Sequence, residues 1–337
     1  MSSRRLLWMV VGSLAALPAL GQTSSAGAKT TRIYTPPKTP WGDPDLQGLW
    51  PSTEMIGVPM QRPTQFGTRT VLTDEEFAQR QTQAQRTAEA DREEYIQQDF
   101  KPGINPPSYW IERGKPSRIA SLIVDPPDGR IPPLTADGQK RAADRAEARK
   151  GRGPNDSWED HSLYDRCLTR GVTGSILPVI YNNGNQILQM PGYVVIRYEM
   201  IHEARVIPLD GRPHVGSNIR TYMGDPRGHW EGETLVVETT NFTGKTSIGL
   251  NGNGNPHSEA LRLTERFTRV DANTINYQVT IDDPKTWTRP WTIAFPLKQD
   301  PQHEIYEYAC HEGNYALKDM LSGARTEERA AAEAAKK

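Results

Sequence analysis

Residues 192–242, GYVVIRYEMIHEARVIPLDGRPHVGSNIRTYMGDPRGHWEGETLVVETTNF, decide how this chain is read, and they hold three of its seven histidines, His202, His214 and His229. Charged and aromatic residues alternate with apolar ones in short runs bounded by Pro, Asp and Gly, the pattern of strands with one packed face. If the first run is one unbroken strand, a period of two places Val194, Ile196, Tyr198, Met200, His202, Ala204 and Val206 on one face. The other face then carries Val195, Arg197, Glu199, Ile201, Glu203 and Arg205. The first face is the apolar one and is expected inward. The second reads as a solvent-side ladder of opposite charges, or as the lining of a wet lumen with Glu199 and Arg205 facing a substrate.

Downstream the same period recurs. Leu235 and Val237 lead a short run, Ile275, Tyr277, Val279 and Ile281 alternate with polar residues, and so do Trp291, Ile293, Phe295 and Leu297. Turn residues at Pro191-Gly192, Leu209–Arg212, Trp230–Glu233 and Asp271–Asn273 space these strands as antiparallel neighbours. Strands without long helices between them exclude a parallel βαβ sheet. The expected fold is mainly β, an antiparallel barrel of the calycin or lipocalin kind or a sandwich, with two peripheral helices and long Pro-rich loops.

Upstream, Gly48, Leu49 and Trp50 resemble the G-x-W that opens lipocalin barrels, although a Trp plugging a core explains the same three residues. Thr73 and Glu76 form a capping-box pattern at the start of a polar helix, and Thr135 opens a second one over 135–150. Residues 322–337 read as a frayed helix or a flexible tail. The expected organisation is a leader over 1–21, an extended arm and first strand over 22–72, a helical and Pro-rich region over 73–150, and a β core over 151–321.

The leader pairs Arg4 and Arg5 with an apolar run to Leu20 and small residues at Ala19 and Gly21, the form of an export signal cleaved near Gly21. It also resembles a twin-arginine signal, though the ordinary export route is expected. A periplasmic or secreted protein without a stable membrane anchor follows. In an oxidising compartment the chain's two cysteines, Cys167 and Cys310, are expected to pair. That bridge would gather Asp165 and Arg166 with His311 and Tyr315. Forty basic against forty-one acidic residues give a net charge of −1, which offers no footprint for nucleic acid.

There is no HExxH, CxxC pair, P-loop, GxSxG elbow or helix-opening GxGxxG. His229 and Glu231 share a strand face near His214, but scattered histidines do not define a metal set, and neither metal nor cofactor is expected. The candidate chemistry is therefore cofactor-free acid–base work, a lyase, isomerase or hydrolase step on an apolar or aromatic molecule. His202 would be the base, with Tyr198 or Glu199 as its partner; Arg205 and Arg220 would hold an anionic group, and Asp165, Arg166, His311 and Tyr315 would form the mouth. A non-catalytic periplasmic carrier would use the same cavity, and an envelope interaction module would use the polar helix and Pro-rich arms. Trp230, Trp287, Trp291, Tyr306 and Tyr315 could stack against a ring-bearing ligand, with core filling as the simpler role.

Five segments, SLIVDPPDGRIPPLT, DRCLTRG, YEMIHEARVIPLDGRPH, GDPRGHWEGETLVVETTNF and EYACHEGNY, resemble those of a family of mostly uncharacterised exported bacterial proteins. The resemblance implies an exported protein with an antiparallel β core and transfers no catalytic residues.

Overall fold

The alternation that begins at Tyr193 runs only as far as Tyr198 before the chain turns back on itself. Tyr193–Tyr198 and Ala204–Pro208 are two antiparallel strands joined by a 3₁₀ turn at Met200–His202. Ile201 in that turn has φ 59, a left-handed conformation that β-branched residues rarely adopt and that costs on the order of 1–2 kcal/mol. The turn resets the side-chain period. Val194, Ile196 and Tyr198 point inward as the alternation requires, but beyond the turn Arg205 and Ile207 are buried while Ala204 and Val206 face solvent. The single unbroken strand is thus corrected to a hairpin in which Ile196 sits opposite Arg205.

The computed structural model describes residues 34–97, 109–249 and 254–336. The expected leader, the start of the arm and most of the Gly-rich LNGNGN loop lie outside them, as does the side chain of His202. One antiparallel sheet contains, in order, β1 (Gly48–Leu49), β3 (Asn185–Met190), β4 (Tyr193–Tyr198) and β5 (Ala204–Pro208). A second contains β2 (Ile123–Asp125), β12 (Trp291–Lys298), β11 (Thr274–Asp282), β10 (Arg262–Asp271), β7 (Thr234–Thr240) and β6 (Asp225–Glu231). A two-stranded ribbon, β8 (Ser247–Ile248) with β9 (Asn255–Pro256), pairs with neither, and its Ile248 joins the shared core.

The hairpin turns fall where the turn residues sit. Met190 pairs with Tyr193 around Pro191-Gly192, Glu231 with Thr234 around Gly232-Glu233, and Asp271 with Thr274 around Ala272-Asn273. The inward sets on β11 and β12 are all buried, and together with Leu235, Val237 and Phe267 they join Val194, Ile196 and Ile207 of the other sheet in one apolar cluster. Two antiparallel sheets sharing a core fit a sandwich-like arrangement. Among the described residues there is no closed barrel: β2 and β6 end the larger sheet without pairing to each other. Trp50 is fully buried in the shared cluster and donates its indole N–H to the Leu46 carbonyl at 2.8 Å, so it plugs the core. Trp287 and Trp291 are buried in the same cluster, their rings meeting edge to face.

The helices lie outside the sheets. Thr73 and Glu76 exchange the two capping hydrogen bonds that start α1 (Asp74–Gln97), and Thr135 caps α2 (Ala136–Ala148) by accepting from the Gly138 N–H. The short helix α3 (Gly171–Ile176) is buried throughout. At the far end α4 (Cys310–Gly313) leads into α5 (Tyr315–Ala334), so of the two readings of the tail, frayed helix or flexible, the stretch is largely helical. Asn314 caps α5 through the Leu317 N–H, and none of its side chains is buried. No helix among the described residues is long and apolar enough to cross a membrane.

One polar network sits inside the shared core. The Arg205 guanidinium on β5 reaches the Glu265 carboxylate on β10 at 3.0 and 2.6 Å, and it also donates to Tyr198 Oη and Thr239 Oγ1. Tyr277 Oη donates to the same carboxylate at 3.1 Å. Burial disfavours the charge on Arg205, but Glu265 outweighs that effect and holds the guanidinium above its ordinary value. Burial pushes the Tyr198 phenol up to about 12. Removing one partner leaves an uncompensated buried charge, which typically costs about 3–5 kcal/mol. Arg205→Met is therefore expected to lower unfolding free energy in urea by roughly that amount, and Arg205→Met with Glu265→Gln to recover part of the loss.

Candidate functional site

Three separate pieces of chain converge beside the hairpin turn. Glu199 follows directly from β4, and its backbone N–H donates to the Gly184 carbonyl. Its buried carboxylate accepts from Asn182 Nδ2 at 3.0 Å, the Gly184 N–H at 2.9 Å, the Tyr306 N–H at 3.4 Å and His303 Nε2 at 2.9 Å. His303 belongs to the irregular strap that leaves β12 and runs to Cys310. Gly184 is required here by close approach: a Cβ would lie 2.6 Å from Glu199 Oε2 and 2.9 Å from His303 Nε2. Glu112 approaches from the third piece. Its carboxylate accepts from Thr53 Oγ1, the Asn183 N–H and Asn183 Nδ2.

The electrostatics follow from those contacts. Burial opposes charge on both members of the His303–Glu199 pair, and their partners outweigh it. The hydrogen bonds from His303, Asn182 and Gly184 hold Glu199 below its ordinary value. Glu199, with Glu112 nearby, holds His303 above its own. The contact favours the imidazolium–carboxylate form of the pair, which is set where a pocket can reach it.

That pocket has a volume of about 790 Å³ and is lined by Glu112, Glu199 and His303 on one side, a size suited to a small organic molecule. Three tyrosines from separate segments form another side. The Tyr164 hydroxyl lies 3.4 Å from those of both Tyr181 and Tyr308, and all three rings pack on Val179, Met200 and Ile201. Burial pushes each phenol up to about 12, so all three are neutral near pH 7. Behind them the buried Arg170 guanidinium lies over the Tyr164 ring, 5.3 Å from its centroid. Desolvation lowers Arg170 to about 10.

The expected disulfide is present. Cys167 and Cys310, 143 residues apart with Cα atoms 5.7 Å from each other, both line the pocket. Asn314 Nδ2 braces the junction by donating to the Asp165 carbonyl at 2.9 Å. Backbone strain collects in the same place. Among the described residues four non-glycine positions have positive φ, and Cys167 and Asn182 line this pocket while Ile201 lies beneath it. Conformations of that cost persist where the surroundings over-determine them, often at functional sites.

Of the residues singled out from sequence, Glu199, Asp165, Tyr306 and the two cysteines line the pocket. The Asp165 carboxylate closes its own turn by accepting from the Ser162 N–H and hydroxyl. Tyr198 faces inward as expected, and Arg205 is corrected to the same side because the turn at 199–203 moves it to the inner face; both are sealed in the core with Glu265 and neither lines the pocket. Arg220 ties loops together through the Phe242 and Glu259 carbonyls. Arg166 stacks on Trp158 at 4.3 Å. His311 and Tyr315 are brought near by the bridge, as expected, but are exposed and do not line the pocket. The residues that sequence reasoning missed are His303, Glu112, Tyr164, Tyr181 and Tyr308. Following the strap back from Cys310 would have reached Tyr308 and His303, and Tyr164 is three residues from Cys167.

Glu112, Glu199 and His303 are also the one set among the described residues whose possible metal-ligand atoms all lie within 4.8 Å of one another. The donors on both carboxylates already engage the lone pairs a cation would need, so this is better built to hold an ion pair than a metal. His229 and His214 are elsewhere, paired with Glu231 and Asp225. A larger cavity of about 1020 Å³ lies beside α1, but its charged groups are committed: Glu76 to Arg69, Asp91 to Arg113, and Arg80 to two backbone carbonyls. Comparison with family models, characterised proteins and solved structures finds no match for the chain.

Two measurements check this site. His303, raised above its ordinary 6.5, stabilises the fold fully below that value and stops doing so as pH rises through its folded value. Glu199, lowered from 4.5, contributes above 4.5 and is lost as pH falls through its folded value. The stability difference between the native protein and His303→Gln is therefore expected to be largest between these two regions and to shrink on going alkaline, as read by thermal melts across pH. Reducing the disulfide is expected to cost about 4–5 kcal/mol in the chain-entropy picture for so long a loop. It is also expected to free the strap, raising exchange at the Tyr306 amide before global unfolding.

Proposed function

We propose that this chain is an exported small-molecule protein that performs acid–base chemistry in the tyrosine-lined pocket, with His303 as the proton-transfer group and Glu199 as its positioning partner. The observation that carries this reading is the His303–Glu199 pair, half-buried histidine on buried carboxylate, set in the wall of that pocket. A histidine held in its charged form by a carboxylate is a general acid toward a basic leaving or enolate oxygen, and the returned proton regenerates it. The neutral phenol of Tyr164, with two more hydroxyls within hydrogen-bonding range, can donate to a developing oxyanion. The pocket takes over the role expected for a cavity at His202, and the reaction class remains a lyase, isomerase or hydrolase step without a cofactor.

Export rests on the leader-like amino terminus and is compatible with the disulfide. A sandwich-like β core is the scaffold this reading uses.

The carrier reading is favoured by one observation, the complete engagement of the Glu199 carboxylate by four donors, which suits a rigid wall as well as a reaction centre. Native mass spectrometry of the exported protein, followed by turnover assays of any recovered ligand and of ester, lactone and β-hydroxyacid panels, separates the two. The enzyme reading expects turnover that falls by about 10²-fold or more in His303→Gln while ligand binding persists. Binding without turnover in the native protein supports the carrier. Turnover unchanged in His303→Gln sinks the assignment of His303.

A further inference from the structure

We infer that the ligand of this pocket is an organic cation, an amine or quaternary ammonium carried on a hydrophobic or aromatic body. The inference rests on the small-molecule pocket proposed above but not on its proton chemistry. Five carboxylates, Glu112, Asp165, Glu199, Glu304 and Glu307, line the cavity, and among the described residues no lysine or arginine does. His303 matches the charge of Glu199, and Ser162 engages Asp165, which still leaves the wall negative. An anionic ligand would meet like charge there without a basic side chain to receive it.

The second observation is the aromatic wall. Besides the three half-buried tyrosines, Tyr109, Trp110 and Tyr306 line the same cavity, and Trp110 and Tyr306 are 57% and 64% exposed. Tyr109 and Trp110 meet edge to face at 6.1 Å. Trp110 and Tyr306 are large rings exposed at the rim of one pocket, and the faces of such rings attract cations. Tyr306 also donates its hydroxyl to the Glu304 carboxylate at 2.8 Å. That bond holds the phenol and enriches its ring face. Arg170 already covers one face of Tyr164, so the rings offered to a ligand cation are chiefly Trp110 and Tyr306. Carboxylates beside aromatic faces, with no competing arginine or lysine in the wall, select positive charge over shape alone.

The test titrates the full-length protein at pH 7 and low salt with three probes of nearly one shape: benzyltrimethylammonium, its neutral carbon isostere neopentylbenzene, and the anion phenylmethanesulfonate. Ligand-observed NMR reads binding. The cation is expected to bind about tenfold or more tightly than the neutral isostere, a difference of about 1.4 kcal/mol, and the sulfonate not to bind. Glu304→Gln with Glu307→Gln, both at exposed positions, is expected to weaken the cation several-fold and leave the neutral probe unchanged. Tyr306→Leu should weaken the cation as well, with an unchanged melting temperature. Equal affinity for the cation and its isostere, or preference for the sulfonate, overturns the cation assignment and leaves the pocket standing. Silence of all three probes overturns both.

Discussion

The contact between Arg205 and Glu265 holds the two sheets in one relation. Among the described residues it is the only place where a full positive charge of the smaller sheet enters the shared core; the larger sheet answers it with the Glu265 carboxylate, braced by Tyr277, and the Thr239 hydroxyl, and its own sheet adds the Tyr198 hydroxyl. A buried ion pair of this kind adds little net stability over an apolar pair of the same shape. What it supplies is register. Arg205 can reach Glu265 only if β5 lies opposite β4 with Ile196 beside it, and β5 takes that register only if the chain turns at 199–203. The strained Ile201 is thus tied to the salt bridge several residues away.

The candidate site is a consequence of the same turn. Ending β4 at Tyr198 sends Glu199 out of the sheet and toward Asn182, Gly184 and the strap, instead of along a charged strand face. The strap has no ladder of its own. It is held by the end of β12, by His303 and Tyr306 against Glu199, and by the disulfide at Cys310. Each anchor is polar or covalent, as a segment with little apolar burial requires. The pocket therefore has a rigid wall from the hairpin and the Tyr164–Cys167 segment, and a second wall whose position depends on three attachments.

Much of the fold was legible from the chain because strand faces are written in side-chain order. The alternation in β11 and β12, the turn residues at 191–192, 232–233 and 272–273, and the capping pairs at Thr73 and Thr135 each act through neighbours a few residues away. The disulfide was legible for a different reason, since two cysteines admit one intramolecular pairing. The site was legible in part. Glu199 and the neighbourhood of Cys167 and Cys310 were marked, but as pieces of two different places.

Local order in the sequence determined which segments are strands, where most turns fall and which cysteines join, because those depend on interactions short in sequence or on a unique partner. Tertiary structure alone decided that Arg205 goes inside, since a one-residue change of phase at Ile201 exchanges the two faces of a strand and leaves no mark on its alternation. It alone brought His303 and Glu112 to Glu199, because each comes from a segment without period or motif. Their partnership is a matter of distance across the fold, and charge pairs of that kind have no spacing by which a chain could announce them.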